Sequence, residues 1–103
     1  MAEPIRVLLV DHQPLLRRCL AAVLNRRRGL LVVGEAESGG QACRQVLALQ
    51  PDVIVIEPEL PEGGDALLAE LQQTVPGVSL LVLTSGLTDV SRRALAAGAR
   101  GCI

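Results

Sequence analysis

The chain has 103 residues, half of them apolar and a fifth charged, with a formal net charge of -1 and no Phe, Tyr or Trp. That length leaves room for one domain, and that apolar fraction supports a packed core, which argues against a second domain and against global disorder. Balanced charge argues against nucleic-acid binding by this segment, and no apolar run approaches the ~18 residues of a membrane span.

Other broad features narrow the class further. Met1-Ala2-Glu3-Pro4 has no basic stretch followed by an apolar one, so no secretory leader is read there. A cytoplasmic protein with no membrane partner is expected. Cys19, Cys43 and Cys102 lie far apart with no Cys-x-x-Cys pair, which predicts small buried thiols in a reducing compartment. All ten basic side chains are arginine, so no lysine is available for Schiff-base or phosphate-sensing chemistry.

In chain order, the first element is a strand over residues 7–10, a run of Val and Leu. A helix follows, with Pro14 in its first turn. Its rows Leu15, Cys19, Val23 and Leu16, Leu20, Leu24 predict an inward stripe, with Arg17 and Arg18 turned to solvent and Gly29 after the end. The second strand covers 30–33. The second helix opens at Ser38 and Gln41, which have capping-box spacing, carries Ala42, Val46 and Leu49, and stops at Pro51. Val53–Ile56 is the third strand. A third helix starts near Asp65, carries Leu67, Leu68 and Leu71, and stops at Pro76-Gly77. The fourth strand covers 80–83. A fourth helix is expected from Thr88 or Asp89, carrying Val90, Ala94 and Ala97 and ending at Gly98. Gly101-Cys102-Ile103 reads as the start of a fifth strand.

Short, uninterrupted Val, Leu and Ile runs suit strands buried on both faces. The alternating order therefore predicts an α/β fold with one parallel sheet and helices on both faces. In such sheets, functional groups gather at the carboxyl ends of the strands. Those ends carry Asp11-His12, Glu35, Glu57-Pro58 and Thr84-Ser85. If the first and third strands are neighbours, Asp11, His12 and Glu57 converge. Two close carboxylates repel, so such a rim needs a cation, a proton or the imidazole. The plainer reading of each residue is a helix cap or a solvated loop, and taken singly the two readings weigh about equally.

Four stretches then carry a resemblance. They are Ile5-Arg6-Val7-Leu8-Leu9-Val10-Asp11-His12-Gln13-Pro14-Leu15-Leu16-Arg17; Val32-Val33-Gly34-Glu35-Ala36; Pro51-Asp52-Val53-Ile54-Val55-Ile56-Glu57 with Leu60-Pro61; and Leu81-Val82-Leu83-Thr84-Ser85 with Ala97-Gly98-Ala99-Arg100-Gly101. In this order and spacing the chain resembles the receiver domain of bacterial two-component response regulators, most closely the NarL/FixJ (LuxR-type) group. The resemblance implies a flavodoxin-like (CheY-like) doubly wound sheet of strand order 2-1-3-4-5. The fifth strand would be incomplete and the fifth helix missing, with residues 1–103 a single domain lacking an output domain.

The family places two acids after the first strand, an Asp acceptor after the third, Thr or Ser after the fourth and Lys after the fifth. The acids hold Mg²⁺ for phosphoryl transfer to the Asp. By resemblance, Asp11 matches the first acid and Thr84, with Ser85 beside it, the switch position. His12 stands at the second acid, Glu57 at the phosphoacceptor, and the lysine would fall just past Ile103. Gly64-Asp65 departs from the usual loop order, Cys102 replaces the switch aromatic, and Arg92 and Arg93 lie on the usual output surface.

Mg²⁺ prefers octahedral oxygen ligands, so its binding is expected to be weak or lost with His12 in place. The extra methylene of Glu57 moves its oxygens about 1.5 Å outward, which in-line transfer tolerates poorly. The expectation is an atypical receiver acting in signal transduction and transcription regulation without conventional Asp phosphorylation, with no catalytic residue, no cofactor and no metal. Glu57 could instead imitate part of the phosphorylated state. The expected partners are a second copy of the chain and a histidine kinase or other regulatory protein, with DNA reached only through an output domain. Two alternatives stand beside this: an ordinary phosphorelay receiver, and a flavodoxin-like protein whose Asp11, His12 and Glu57 ligate Zn²⁺.

Overall fold

The computed structural model describes residues 3–57, 60, 64–82 and 101–102. Its elements are β1 (Ile5–Val10), α1 (Pro14–Asn25), β2 (Leu30–Ala36), α2 (Gly39–Leu49), β3 (Val53–Ile56), α3 (Gly64–Thr74), β4 (Ser79–Val82) and β5 (Gly101–Cys102). All pairings are parallel, and the strand order is β2-β1-β3-β4-β5. This is the parallel α/β sheet that the sequence pattern predicts, in the doubly wound, CheY-like order that the resemblance implies. None of the described helices is long and apolar enough to cross a membrane.

The two faces of the sheet are packed unequally. Leu8, Val10, Ile54, Ile56, Leu80 and Val82 point to one side, where Ala42 and Val46 of α2 and Leu67, Leu68 and Leu71 of α3 close over them. Val7, Leu9 and Val55 point to the other side, against Ala21, Leu20 and Leu24 of α1. The strict alternation along β1 and β3 reflects the two-residue period of a strand.

Local chemistry explains most boundaries. Ser38 caps α2, its hydroxyl accepting from the Gln41 N–H at 3.2 Å. Gln41 Oε1 reaches back to the Glu37 N–H at 3.0 Å. The helix ends at Leu49, two residues before Pro51, with its C-cap Gln50 in the left-handed region at φ 50°. Gly34 marks a bulge: Val7 pairs with Val32 and Leu8 with Gly34, leaving Val33 as the extra residue. A Cβ at Gly34 would stand 2.6 Å from Leu49 Cδ1 and 2.6 Å from Gln45 Oε1, so the missing side chain lets α2 lie close on β2.

Four expectations are corrected. Arg17 is buried, not solvent-facing, while Arg18 is exposed as expected. The row Leu15, Cys19, Val23 faces solvent instead of the sheet, and Leu15 is 78% exposed. Helix α1 turns the stripe Arg17, Leu20, Ala21, Leu24 inward, because small Ala21 permits close approach to the sheet and Arg17 finds polar partners at its end. Consequently Cys19 is an exposed thiol, and Cys43 is only partly buried. Finally, β2 runs through Ala36, because the six residues of β1 pair along its length, so Glu35 lies inside the strand and not at its end. The expected fourth helix, Leu83 and the side chain of Cys102 lie outside the described residues.

Candidate functional site at the carboxyl ends of β1 and β3

The order of the sheet reverses between β1 and β3, the topological switch point where open α/β sheets place their sites. Val10 pairs with Ile56, so Asp11 and Glu57 emerge side by side. The ladder runs one step past both strands: the Asp11 N–H donates to the Ala36 carbonyl at 3.0 Å, and the Glu57 N–H to the Val10 carbonyl at 2.9 Å. Backbone pairing therefore holds both acids where they begin.

The turn after β1 aims the next residues. Asp11 Oδ1 accepts from the Gln13 N–H at 2.8 Å, an Asx-type turn that leads into Pro14. That turn brings His12 over Glu57. The His12 N–H donates to Glu57 Oε2 at 3.3 Å, and His12 Nδ1 lies 2.5 Å from the same oxygen. The two atoms are within hydrogen-bond distance of each other. His12 Nδ1 is also 3.9 Å from Asp11 Oδ1.

Burial sets the electrostatics of this rim. Asp11 is 3% exposed, and its Oδ2 has no hydrogen-bond partner among the described residues. Burial pushes the Glu57 carboxyl above its ordinary value, and the Asp11 carboxylate beside it pushes the same way, while the hydrogen bonds from His12 oppose the rise. Glu57 is therefore a carboxyl under pressure to share a proton.

Arg17 supports the rim from below. Its Nη1 donates to the Asp11 carbonyl at 2.7 Å, and its Nε to Glu35 Oε1 at 3.1 Å. Sequence reasoning missed this residue. The available signal was the spacing 17, 20, 21, 24, an inward stripe of its own with an arginine at the end nearest the acids.

Of the residues singled out in the sequence, the structure thus brings together Asp11, His12 and Glu57. Glu35 does not join them; it pairs with Arg17 in β2. Thr84, Ser85, Arg92 and Arg93 lie outside the described residues. Magnesium, which the resemblance implies, does not fit this donor set: His12 presents an imidazole nitrogen where magnesium prefers oxygen, and the Glu57 carboxyl is engaged by that ring.

A match to the response regulator receiver domain family spans residues 7–103. The chain belongs to that family. The DNA-binding transcriptional activator DevR/DosR of Mycobacterium tuberculosis is 39% identical over 101 residues, covering 96% of this chain and 46% of that protein. A LuxR-family two-component response regulator from Aurantimonas sp. SI85-9A1 superposes with a TM-score of 0.89 at 30% identity, over 97% of this chain and 73% of that one. The receiver domain of the putative response regulator NarL from M. tuberculosis gives 0.88 at 27% identity, over 98% of this chain and 83% of that one. The receiver domain thus spans about half the length of the first curated relative it matches. A receiver domain is not itself catalytic; related methylesterases, which also match, share only this segment of their length.

Proposed function

We propose that this receiver domain is an atypical one, regulating transcription from the cytoplasm through an output domain or a partner protein, without conventional aspartyl phosphorylation. The carrying observation is the His12–Glu57 pair. The residue at the acceptor position is a glutamate whose Oε2 lies 2.5 Å from an imidazole nitrogen, at the place where the family holds its metal. A phosphoryl donor would meet a carboxyl already committed to a neighbour, on a longer side chain, without a magnesium site opposite. Asp11, His12 and Glu57 then serve to hold the rim in one conformation, and Thr84 and Ser85 stand at the switch position. Similarity to a DNA-binding transcriptional activator supports a transcriptional output, and membership of the receiver family supports a histidine kinase or other regulator upstream.

Acetyl phosphate followed by intact-mass measurement tests this. The wild-type chain is expected to stay unmodified. A His12→Asp, Glu57→Asp double variant is expected to gain label at least ~100-fold faster, the scale of loss that a 1 Å misplacement produces. A wild-type chain that takes up one phosphoryl group as fast as the double variant would restore the ordinary phosphorelay reading.

A second copy of the chain is the proposed partner for the thinly covered face. There, Ile5, Leu20, Leu24, Leu30, Val53 and Leu81 line a wholly apolar groove of about 250 Å³ beside α1. Among the described residues α1 is the one helix packed on this side, and Val53 and Leu81 stay only partly buried. Burying about four such side chains is worth roughly 6 to 12 kcal/mol, enough to support association. Sedimentation is expected to show a dimer. A compact monomer that binds no hydrophobic dye would be the contrary result.

A further inference from the structure

Helix α1 carries two apolar stripes, and its own sheet uses one of them. Leu20, Ala21 and Leu24 pack inward. A second stripe, Leu16, Cys19, Leu20 and Val23, has the i, i+3, i+4, i+7 spacing that gives a helix one continuous apolar side. It runs along the flank, where Leu16 is 43% and Val23 57% exposed and Cys19 is an exposed thiol. Leu20 belongs to both stripes and lines the apolar groove beside α1, so this flank forms one wall of the groove. A helix that is apolar on more than its inward side is ordinarily covered there too.

We infer that two copies of the chain pair through α1, the helices antiparallel with their flank stripes in contact, each closing the other's groove. This rests on the reading that a second copy covers the groove, and specifies how it does so. The contact is isologous: under a two-fold axis the same stripe serves on both sides.

Length and charge select this occupant and its direction. The groove follows β1 from Ile5 to Leu9, about 13 Å at ~3.3 Å per residue. Helix α1 has 12 residues, about 18 Å at ~1.5 Å per residue, so one helix spans the groove. No acidic residue occurs from Pro14 to Gly34, and Arg26, Arg27 and Arg28 stand exposed just past the end of α1. Among the described residues none of these three forms an ion pair. They lie at the amino-terminal end of the sheet, where the Gly29 carbonyl accepts from the Ile5 N–H at 2.7 Å. Asp11 and Glu57 lie at the opposite end, where α1 begins. Antiparallel pairing carries the arginines of each copy toward the acidic rim of the other, whereas parallel pairing would set arginine against arginine.

The stripe is centred between Cys19 and Leu20, so the two-fold axis passes beside Cys19. Packed helices lie about 8–10 Å apart. Cys19 of one copy then comes within disulfide reach of the same residue in the other. The native chain thus carries its own reporter of the pairing.

The test uses the whole chain. Sedimentation under reducing conditions is expected to show a dimer. Leu16→Glu with Val23→Glu is expected to weaken it at least ~100-fold, because carboxylates are left unpaired in an apolar contact. Both positions are exposed in a single copy, so this variant is expected to keep its fold, which circular dichroism checks. Changing Arg26, Arg27 and Arg28 together to Glu is expected to weaken the dimer ~10-fold and to remove its sensitivity to salt, while Arg18→Glu, on the other flank, leaves it unchanged. Diamide then reads the geometry: it takes one proton and one electron from each of two thiols, is reduced to its hydrazine, and leaves a disulfide. Peptide mapping is expected to find Cys19 linked to Cys19. The link is expected to form at least ~10-fold faster than one made by Leu47→Cys, an exposed position on α2, in a Cys19→Ser chain. A dimer whose Cys19 thiols link no faster than that control, or one that survives Leu16→Glu with Val23→Glu, would overturn this pairing and leave self-association standing. A monomer at every concentration would overturn both.

Discussion

Replacing Arg17 with methionine is expected to lower the unfolding free energy by roughly 2–3 kcal/mol, the scale for losing hydrogen bonds to charged and buried partners. The guanidinium joins two strands: it holds the carbonyl of Asp11 at the end of β1 and the carboxylate of Glu35 in β2. Methionine keeps the stem but leaves that carbonyl without its side-chain donor and Glu35 without its partner. Glu35 retains some solvent access, with 34% of its side chain exposed, which keeps the loss below that of a fully buried pair. Lysine at position 17 is expected to recover less than half, because a single ammonium lacks the planar fork that meets both acceptors. The exposed neighbour Arg18 is the control, and Arg18→Met is expected to fall within about 0.5 kcal/mol of wild type. Urea denaturation measures all three. An Arg17→Met variant as stable as Arg18→Met would remove Arg17 from any role in supporting the rim.

The second large effect is in the core. Leu68→Ala is expected to cost about 3–4 kcal/mol, within the range of large-to-small substitutions that leave a cavity. Leu68 is fully buried in α3, against the face of the sheet carrying Leu8, Val10, Ile54 and Ile56. Domains are stable by only ~5–15 kcal/mol, so this single change consumes a large share of the margin. Leu15→Ala is the informative contrast. Leu15 is 78% exposed, so its removal is expected to change stability by less than about 0.5 kcal/mol. Both leucines lie on helical apolar rows in the sequence. Thermal or urea unfolding that ranked the two variants equally would mean that α1 and α3 are packed differently from this structure.

That contrast shows how far periodicity can be read. In α2 and α3 the apolar rows point one way and polar residues surround them, so Ala42, Val46, Leu67, Leu68 and Leu71 were legible as core. Helix α1 offers apolar residues at 15, 16, 19, 20, 23 and 24, more than half a turn of possible inward faces. Its rotation is settled by Ala21, small enough to touch the sheet, and by polar acceptors that draw Arg17 in. Neither is visible from hydropathy alone. The exposure of Cys19 follows from the same rotation.

The strands and the candidate rim divide in a similar way. Continuous Val, Leu and Ile runs marked the first four strands, most clearly β1 and β3, because a central parallel strand is buried on both sides. Their order predicted one parallel sheet, whereas the neighbouring of the first and third strands was legible only through the family resemblance; the observed order sets the end of β1 beside the end of β3 and so gathers Asp11, His12 and Glu57. The ends of β2 were not legible, since its length follows the pairing partner and a bulge at Gly34 more than its own hydropathy.

Residue types, element order and the kind of chemistry available at the rim are properties of the linear chain, because burial patterns and donor atoms are written in the side chains themselves. Which face of α1 turns inward, that Glu57 bonds His12 through one oxygen, and that Asp11 keeps an unpartnered one are not. They depend on through-space register, on Val10 lying opposite Ile56 and on Arg17 reaching across two strands. Hydrogen bonds and charges act over a few ångströms, and such distances exist only once the sheet has closed.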